Sequence, residues 1–254
     1  MGKNKLRKFA EMETFHNVFQ CGAREILPDS PVAAMAGHWR ERYFHNENPI
    51  VLELGCGRGE YTVGLAQLYT DKNFVGIDIK GARMWAGAKL AEQAGMTNVA
   101  FLRTNIEMLT AFFAQGEVDE IWITFPDPQM KKATKRLTST YFMQRYQQLV
   151  RPGGLIHLKT DSPFLHMYTR EMLRLNAYPV LADTADLYHT AETDTLREAK
   201  MLQTHYEHQW LDRGLTIKYL RWQLVPKTIF GEPQIEIEKD TYRSYGRNYT
   251  STQS

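Results

Sequence analysis

Residues 49–69, PIVLELGCGRGEYTVGLAQLY, decide how the rest of the chain is read. An apolar run of strand length, PIVLEL, ends abruptly at three glycines spaced GxGxG. Helically spaced apolar residues follow. A continuous apolar run of this length is the pattern of a strand buried on both faces, as in a parallel sheet. Glycines at the strand-to-helix turn allow a tight bend and let a ligand approach without a Cβ in the way. The spacing differs from the GxGxxG of dinucleotide enzymes and from the phosphate-cradling GxxxxGK[ST].

The alternation continues outward. NFVGID (73–78), NVAFLR (98–103), VDEIWIT (118–124) and LIHLKT (155–160) read as further strands. Helical patterns at 80–95, 106–113, 139–150 and 162–176 separate them. Strands alternating with helices predict a parallel sheet with right-handed crossovers. Past residue 176 the rhythm changes to a strand near 178–182, a long polar helix around 193–212 and a strand over 215–224. Upstream, residues 31–44 have the pattern of a leading helix. The expected organisation is a basic N-terminal arm and leading helix (1–48), an α/β domain (49–226) and a polar C-terminal tail (227–254). The tail has few aliphatic residues and is expected to be loosely ordered.

Composition narrows the classes. The chain has 254 residues, 43% hydrophobic and 24% charged, with a net charge of +2. The two cysteines, Cys21 and Cys56, have no metal-ligand spacing and fit a reduced, cytoplasmic setting. No apolar run is long enough to span a bilayer, so no membrane partner is expected. His205 and His208 stand three apart, but no HExxH or further ligand cluster accompanies them, and no metal is expected.

Asp78 ends the second strand, where an acid can bind ribose hydroxyls. Together with Gly55 and Gly57 it points to a nucleoside-containing ligand. The fourth strand runs into FPDPQMKKATKR (125–136). Pro126 and Pro128 lack backbone donors and push Phe125 and Asp127 toward extended conformations. The chain is thus expected to leave the sheet here and hold Asp127 at the ligand edge, with Lys131, Lys132, Lys135 and Arg136 forming a basic rim.

The E-x-G-x-G-x-G loop resembles the S-adenosylmethionine loop of class I methyltransferases. Four further motifs sharpen this. FPDP with Lys131-Lys132, Lys159-Thr160-Asp161, Thr204-His205-Tyr206-Glu207 and Gly214-Leu215-Thr216-Ile217 resemble, in order, motifs of the bacterial tRNA (guanine-N7)-methyltransferases. The resemblance covers about residues 50–224. It implies a Rossmann-like fold with a mostly parallel seven-stranded sheet and helices on both faces. It also implies S-adenosylmethionine as cofactor and tRNA as partner, with the target guanine in the variable loop.

By resemblance, Glu53, Gly55, Gly57, Asp78, Asn105 and Asp127 contact the cofactor, and Asp127 is also catalytic. Two roles fit Asn105, cofactor contact and N-cap of the helix that follows. Lys131, Asp161, Thr204, His205, Tyr206 and Glu207 are implied to contact the substrate. Lys132, Lys135 and Arg136 are implied to meet RNA. The family's Trp after FPDP is Gln129 here, and Met130 or a nearby aromatic is the expected replacement. Two other readings are a non-catalytic RNA binder on the same fold and a small-molecule methyltransferase. A monomer and a homodimer fit the sequence equally.

Overall fold

The computed structural model describes residues 3–22 and 31–241. Its centre is a single eight-stranded sheet in the order β1-β4-β3-β2-β5-β6-β8-β7. The strands are β1 Val18–Gln20, β2 Ile50–Leu54, β3 Asn73–Asp78, β4 Val99–Arg103, β5 Val118–Thr124, β6 Val150–Thr160, β7 Val180–Thr184 and β8 Lys218–Gln223. β1 to β6 pair in parallel, and β8 runs antiparallel to both β6 and β7. The helices are α1 Lys3–Met12, α2 Glu60–Leu68, α3 Gly81–Gln93, α4 Thr140–Leu149, α5 Pro163–Leu175, α6 Asp194–Met201 and α7 His205–Leu211.

The pattern of β2 shows why the sheet is buried on both faces. Ile50, Leu52 and Leu54 join one hydrophobic cluster, and Val51 joins the other. This is the two-residue alternation of a strand, with an apolar layer on each side. Glu53 sits on the Val51 side in the same buried strand, and it is 4% exposed.

Several expectations needed revision. The eighth strand, β1, comes from the region N-terminal to residue 49 and pairs with β4 from Val18↔Phe101 to Gln20↔Arg103. The 31–44 stretch forms a short 3-10 turn at Ala33–Met35 and a π turn at Arg40–Phe44 rather than one helix. It is held by buried Glu117, which accepts from the N–H groups of Gly37 (2.7 Å) and Trp39 (3.1 Å). The helix expected at 106–113 is a 3-10 turn, Ile106–Ala111. The single helix expected at 193–212 is two, because Thr204 opens a new helix at His205 with its own cap.

The tail through residue 241 is not loose. Asp240 accepts from Phe164 N–H (3.1 Å) and from the Ser162 hydroxyl. Glu232 accepts from Thr140 Oγ1 (2.6 Å) and from the Tyr168 hydroxyl. Asn176 and Gly231 exchange two bonds of 2.8 Å. The tail docks through these polar groups together with Phe230 and Ile237, which pack against the core, and a low aliphatic content signals neither.

Candidate active site

Registers place Leu54, Ile77, Ile123 and Leu158 abreast across β3-β2-β5-β6, so the carboxyl ends of these strands form one edge. Strand order reverses between β2 and β5, and that is where a crevice opens in an open α/β sheet. A cavity of about 600 Å³ lies there. Its wall includes Glu53, Gly55, Gly57, Asp78, Asp127 and Asp161, gathered from four strand ends.

The glycine loop is shaped for close approach. Gly55 has φ +77°, and a Cβ there would project into open space rather than into protein. The loop therefore leaves a cradle that only glycine keeps clear without strain. Gly57 N–H donates to Asp78 Oδ2 (3.0 Å), which ties the loop to the end of β3. Lys80 N–H donates to Asp78 Oδ1 (2.8 Å). Gly59 has a different task. A Cβ on it would stand 2.6 Å from the Phe101 ring and 3.2 Å from Gly87 Cα, so it sets the contact of α2 with α3.

Glu53 is fully committed to its surroundings. Thr62 N–H (2.8 Å) and the Thr62 hydroxyl donate to Oε2, and Thr124 Oγ1 donates to Oε1 (2.6 Å). Burial pushes its pKa up to about 7, although these three hydrogen bonds favour the carboxylate. A buried carboxyl balanced near neutrality at a cavity wall would be stabilised as the anion by a cation placed beside it.

Asp127 is exposed on the loop after β5. Its Oδ1 accepts from Gln129 N–H (2.9 Å), and Oδ2 has no partner among the described residues. Phe125 is not extended as expected, having φ +47°. Its N–H still donates to Lys159 O (2.8 Å), so the ladder reaches one residue past β5 before the chain turns. Gln129 also has a left-handed φ of +48°. Each such residue costs on the order of 1 kcal/mol, and such strain clusters at sites where geometry matters. Asp161, at the end of β6, is fully buried and lines the same cavity. Lys218 Nζ donates to its backbone carbonyl (3.1 Å).

The remaining expected site residues divide sharply. Thr204 and Tyr206 line the cavity, and Lys135 reaches its edge while paired with Glu107 (2.5 Å). Lys131 and Lys132 are exposed outside it. His205 is also outside, with its N–H donating to Glu60 Oε2 (2.9 Å). The adjacent Ile106, rather than Asn105, forms the wall, and the Asn105 side chain makes no capping bond.

Two residues sit elsewhere than expected. Arg136 is not on a rim. It is 8% exposed, stacks on Phe164 and Tyr168, and donates to the carbonyls of Gln129 and Met130 (both 3.2 Å). It clamps the loop after Asp127 from inside. Glu207 does not reach the cavity. It is fully buried against Lys159 (2.8 Å) and Tyr188 (2.5 Å).

The sequence reading missed Thr62 and Thr124, which hold Glu53, and Trp210, which lines the cavity four residues after Tyr206. That i, i+4 spacing puts both rings on one helix face and was a usable signal. Phe125, Tyr206 and Trp210 are aromatic groups lining the same cavity as Gln129, whereas Met130 does not line it.

A family model described as "Putative methyltransferase" matches residues 47–220. The chain is 56% identical to a tRNA (guanine-N(7)-)-methyltransferase of Bacteroides thetaiotaomicron over 99% of this chain and 98% of that one. A Porphyromonas gingivalis relative of the same name is 56% identical over 94% and 98%. The chain belongs to the tRNA (guanine-N(7)-)-methyltransferase family. A more distant member, from Clostridium novyi, is 33% identical over 78% of this chain and 94% of its own. Among solved structures, the 16S rRNA methyltransferase KamB superposes with a TM-score of 0.56 at 15% identity, covering 73% of this chain and 92% of that one. At that identity the likeness is one of fold. It shows that this tRNA (guanine-N(7)-)-methyltransferase family member has the sheet architecture of class I methyltransferases.

Proposed function

We propose that this protein transfers the methyl group of S-adenosylmethionine to N7 of a guanine in the variable loop of tRNA, in the cytoplasm. The observation that carries this is one cavity uniting an open glycine cradle, Asp78 and two further carboxylates, Asp127 and Asp161. High identity to relatives named for the same reaction supports it.

The residues fit S-adenosylmethionine. Gly55 and Gly57 leave room for close backbone approach, Asp78 offers acceptors for ribose hydroxyls, and Glu53 supplies negative charge deep in the wall. Asp127 completes the proposed cofactor set, with Asn105 one residue behind the Ile106 wall. Bound there, the cofactor supplies an electrophilic methyl group on a sulfonium.

Guanine N7 carries a lone pair and no proton, so its attack needs no general base. The protein's task is positioning, which can contribute several kcal/mol to a barrier. Positive charge develops on the purine during transfer, and Asp127 and Asp161 stabilise it. Both can also accept from the N1–H and N2 amino donors of guanine. The target must be splayed from its stack to enter. Tyr206, Trp210 and Phe125 offer faces on which an extruded base can stack. Lys131, Lys132 and Lys135 face the phosphates outside, with Thr204 and His205 at the start of α7.

The test is nucleoside analysis of tRNA incubated with the protein and cofactor labelled in the methyl group. Label in 7-methylguanosine is the expected result. Label in any other nucleoside, or none, overturns the reading.

A further inference from the structure

Helix α7 forms the far wall of the cavity through Thr204, Tyr206 and Trp210. It has only seven residues, and a helix that short does not hold its own position in water. Its place must come from anchors: Trp210 and Leu211 pack against the core, and two polar ties add to them. One is exposed, the His205 N–H bond to Glu60 on α2. The other is dry. Thr204 Oγ1 accepts from Glu207 N–H (3.2 Å), and Glu207 Oε2 accepts from Thr204 N–H (3.3 Å), a capping box that sets the first turn. The second oxygen of the same carboxylate, Oε1, meets Lys159 Nζ at 2.8 Å, with both side chains fully buried.

Lys159 gathers more than Glu207. Its Nζ donates to Ala199 O (2.7 Å) in α6 and to Leu202 O (2.8 Å) in the linker, with Tyr188 Oη at 3.2 Å. One ammonium from β6 therefore fixes α6, the linker and the first turn of α7 together. The same ammonium lies 5.4 Å from the centroid of the Tyr61 ring, a cavity wall. Two residues further along the chain is Asp161, also in the wall. Neither Lys159 nor Glu207 lines the cavity. For stability alone, a dehydrated ion pair is a poor choice, since well-packed apolar residues of similar size often serve as well. A single ammonium with fixed acceptors does, however, define one geometry.

We infer that the Lys159–Glu207 pair is a positioning device for the tRNA base, setting Asp161, the residue just after β6, against the Tyr206–Trp210 face of α7. Glu207 acts on the base only through α7. The inference rests on the methyl-transfer reading above. It predicts that two residues with no access to RNA govern its turnover.

Lys159→Met, Glu207→Gln and the double variant, each in the full chain, test it. Gln retains the capping box at this helix position while losing the charge. Each single variant is expected to lower kcat/KM for tRNA about 10- to 100-fold, the scale of a misplaced substrate. The double variant should fall no further than the worse single. The cofactor Kd should stay within about twofold of wild type, because the glycine-loop half is untouched. Preference for guanosine over inosine at the target should be unchanged in all three.

A direct contact from Glu207 to the N2 amino group predicts something else. Glu207→Gln would then erode the guanosine preference while Lys159→Met would not, and that result would overturn the inference. Undiminished kcat/KM in variants that bind cofactor would also overturn it. Where a single variant loses cofactor binding and with it the fold, the double variant decides, since it buries no unpaired charge. Wild-type protein that places no methyl on tRNA would sink both readings. An active wild type with unaffected variants would sink this one alone.

Discussion

The two halves of the cavity are built by opposite means. The glycine-loop half is local and made largely of backbone: residues 53–62, bonded to Asp78 through Gly57 N–H. The α7 half is assembled from segments far apart in the chain, and charged side chains hold it together. Lys159 and Glu207 are 48 residues apart (207 − 159) and meet at 2.8 Å. Where a site is made of backbone, its sequence motif also locates it. Where a site is made of charged side chains, folding can spend those charges on one another before any ligand arrives.

The largest effect is expected where the halves meet. Asp127→Ala should reduce methyl transfer about 10²- to 10³-fold, the range seen when one preorganised charge-stabilising group is lost. Thermal stability should be nearly unchanged, because Asp127 is exposed and, among the described residues, its one hydrogen bond is to Gln129 N–H. Single-turnover rates at saturating tRNA and cofactor check this. Activity within a factor of about three of wild type would remove Asp127 from the chemistry.

The glycine-loop half carries its own signature in pH. Glu53 titrates near 7 in the folded protein, above its ordinary carboxyl value, because burial disfavours the anion. The folded state therefore binds this proton more tightly than the unfolded state. The stabilisation is fully present below the unfolded pKa, about 4.5, and is lost as pH rises toward 7. The loss amounts to about 3 kcal/mol. Denaturation of the protein without cofactor, followed from pH 4.5 to 8, should show this fall, and Glu53→Gln should flatten it. Parallel profiles for the two proteins would mean that Glu53 stays ionised throughout.

Sequence made the first half legible and mis-stated the second, for physical reasons visible in single residues. Gly55 and Asp78 could be placed because a strand end fixes where a backbone loop and the next strand's last residue must lie. Arg136 read as part of a basic rim because a charge cluster is ordinarily solvated. Nothing local announces that Phe164 and Tyr168, on α5, will stack against its guanidinium. Resemblance implied a substrate contact for Glu207, and nothing local signalled the capping box that engages it, which needs a helix start at His205. The expected long helix had erased that start. The docked tail escaped for a similar reason: Glu232 and Asp240 find partners on α4 and α5 and beside Ser162, whereas aliphatic content signals only apolar docking.

Arg136→Ala probes the buried charges of the second half. Two hydrogen bonds to the Asp127 loop and two ring contacts disappear; the Met130 carbonyl loses the Arg136 donor, whereas the Gln129 carbonyl keeps Lys132 N–H (3.0 Å). A loss of about 2 kcal/mol in stability is expected, as for a buried hydrogen-bonded cation. The salt dependence of tRNA binding should not change, since the guanidinium does not face phosphate. Chemical denaturation alongside tRNA titrations at several salt concentrations separates the two roles. A shallower salt slope with intact stability would return Arg136 to the RNA rim.

The smallest effect belongs to the lysines that remain outside. Lys131 and Lys132 are exposed, neither lines the cavity, and no ion pair engages either among the described residues. Their ammonium groups are thus available for phosphate in a way that the Arg136 guanidinium is not. Each contact with a tRNA phosphate releases condensed counterions. Lys131→Ala or Lys132→Ala should therefore make the log–log slope of affinity against salt shallower by roughly 0.7 to 0.9. Stability should move by less than about 0.5 kcal/mol, as for a surface substitution. The contrast with Arg136 is the point of the measurement: three cations of one short run, of which two should alter the slope and one the fold. An unchanged slope in both lysine variants would show that tRNA approaches the cavity from another side, with Arg58, Lys80 and Arg83 of the cavity wall as the next cations to test.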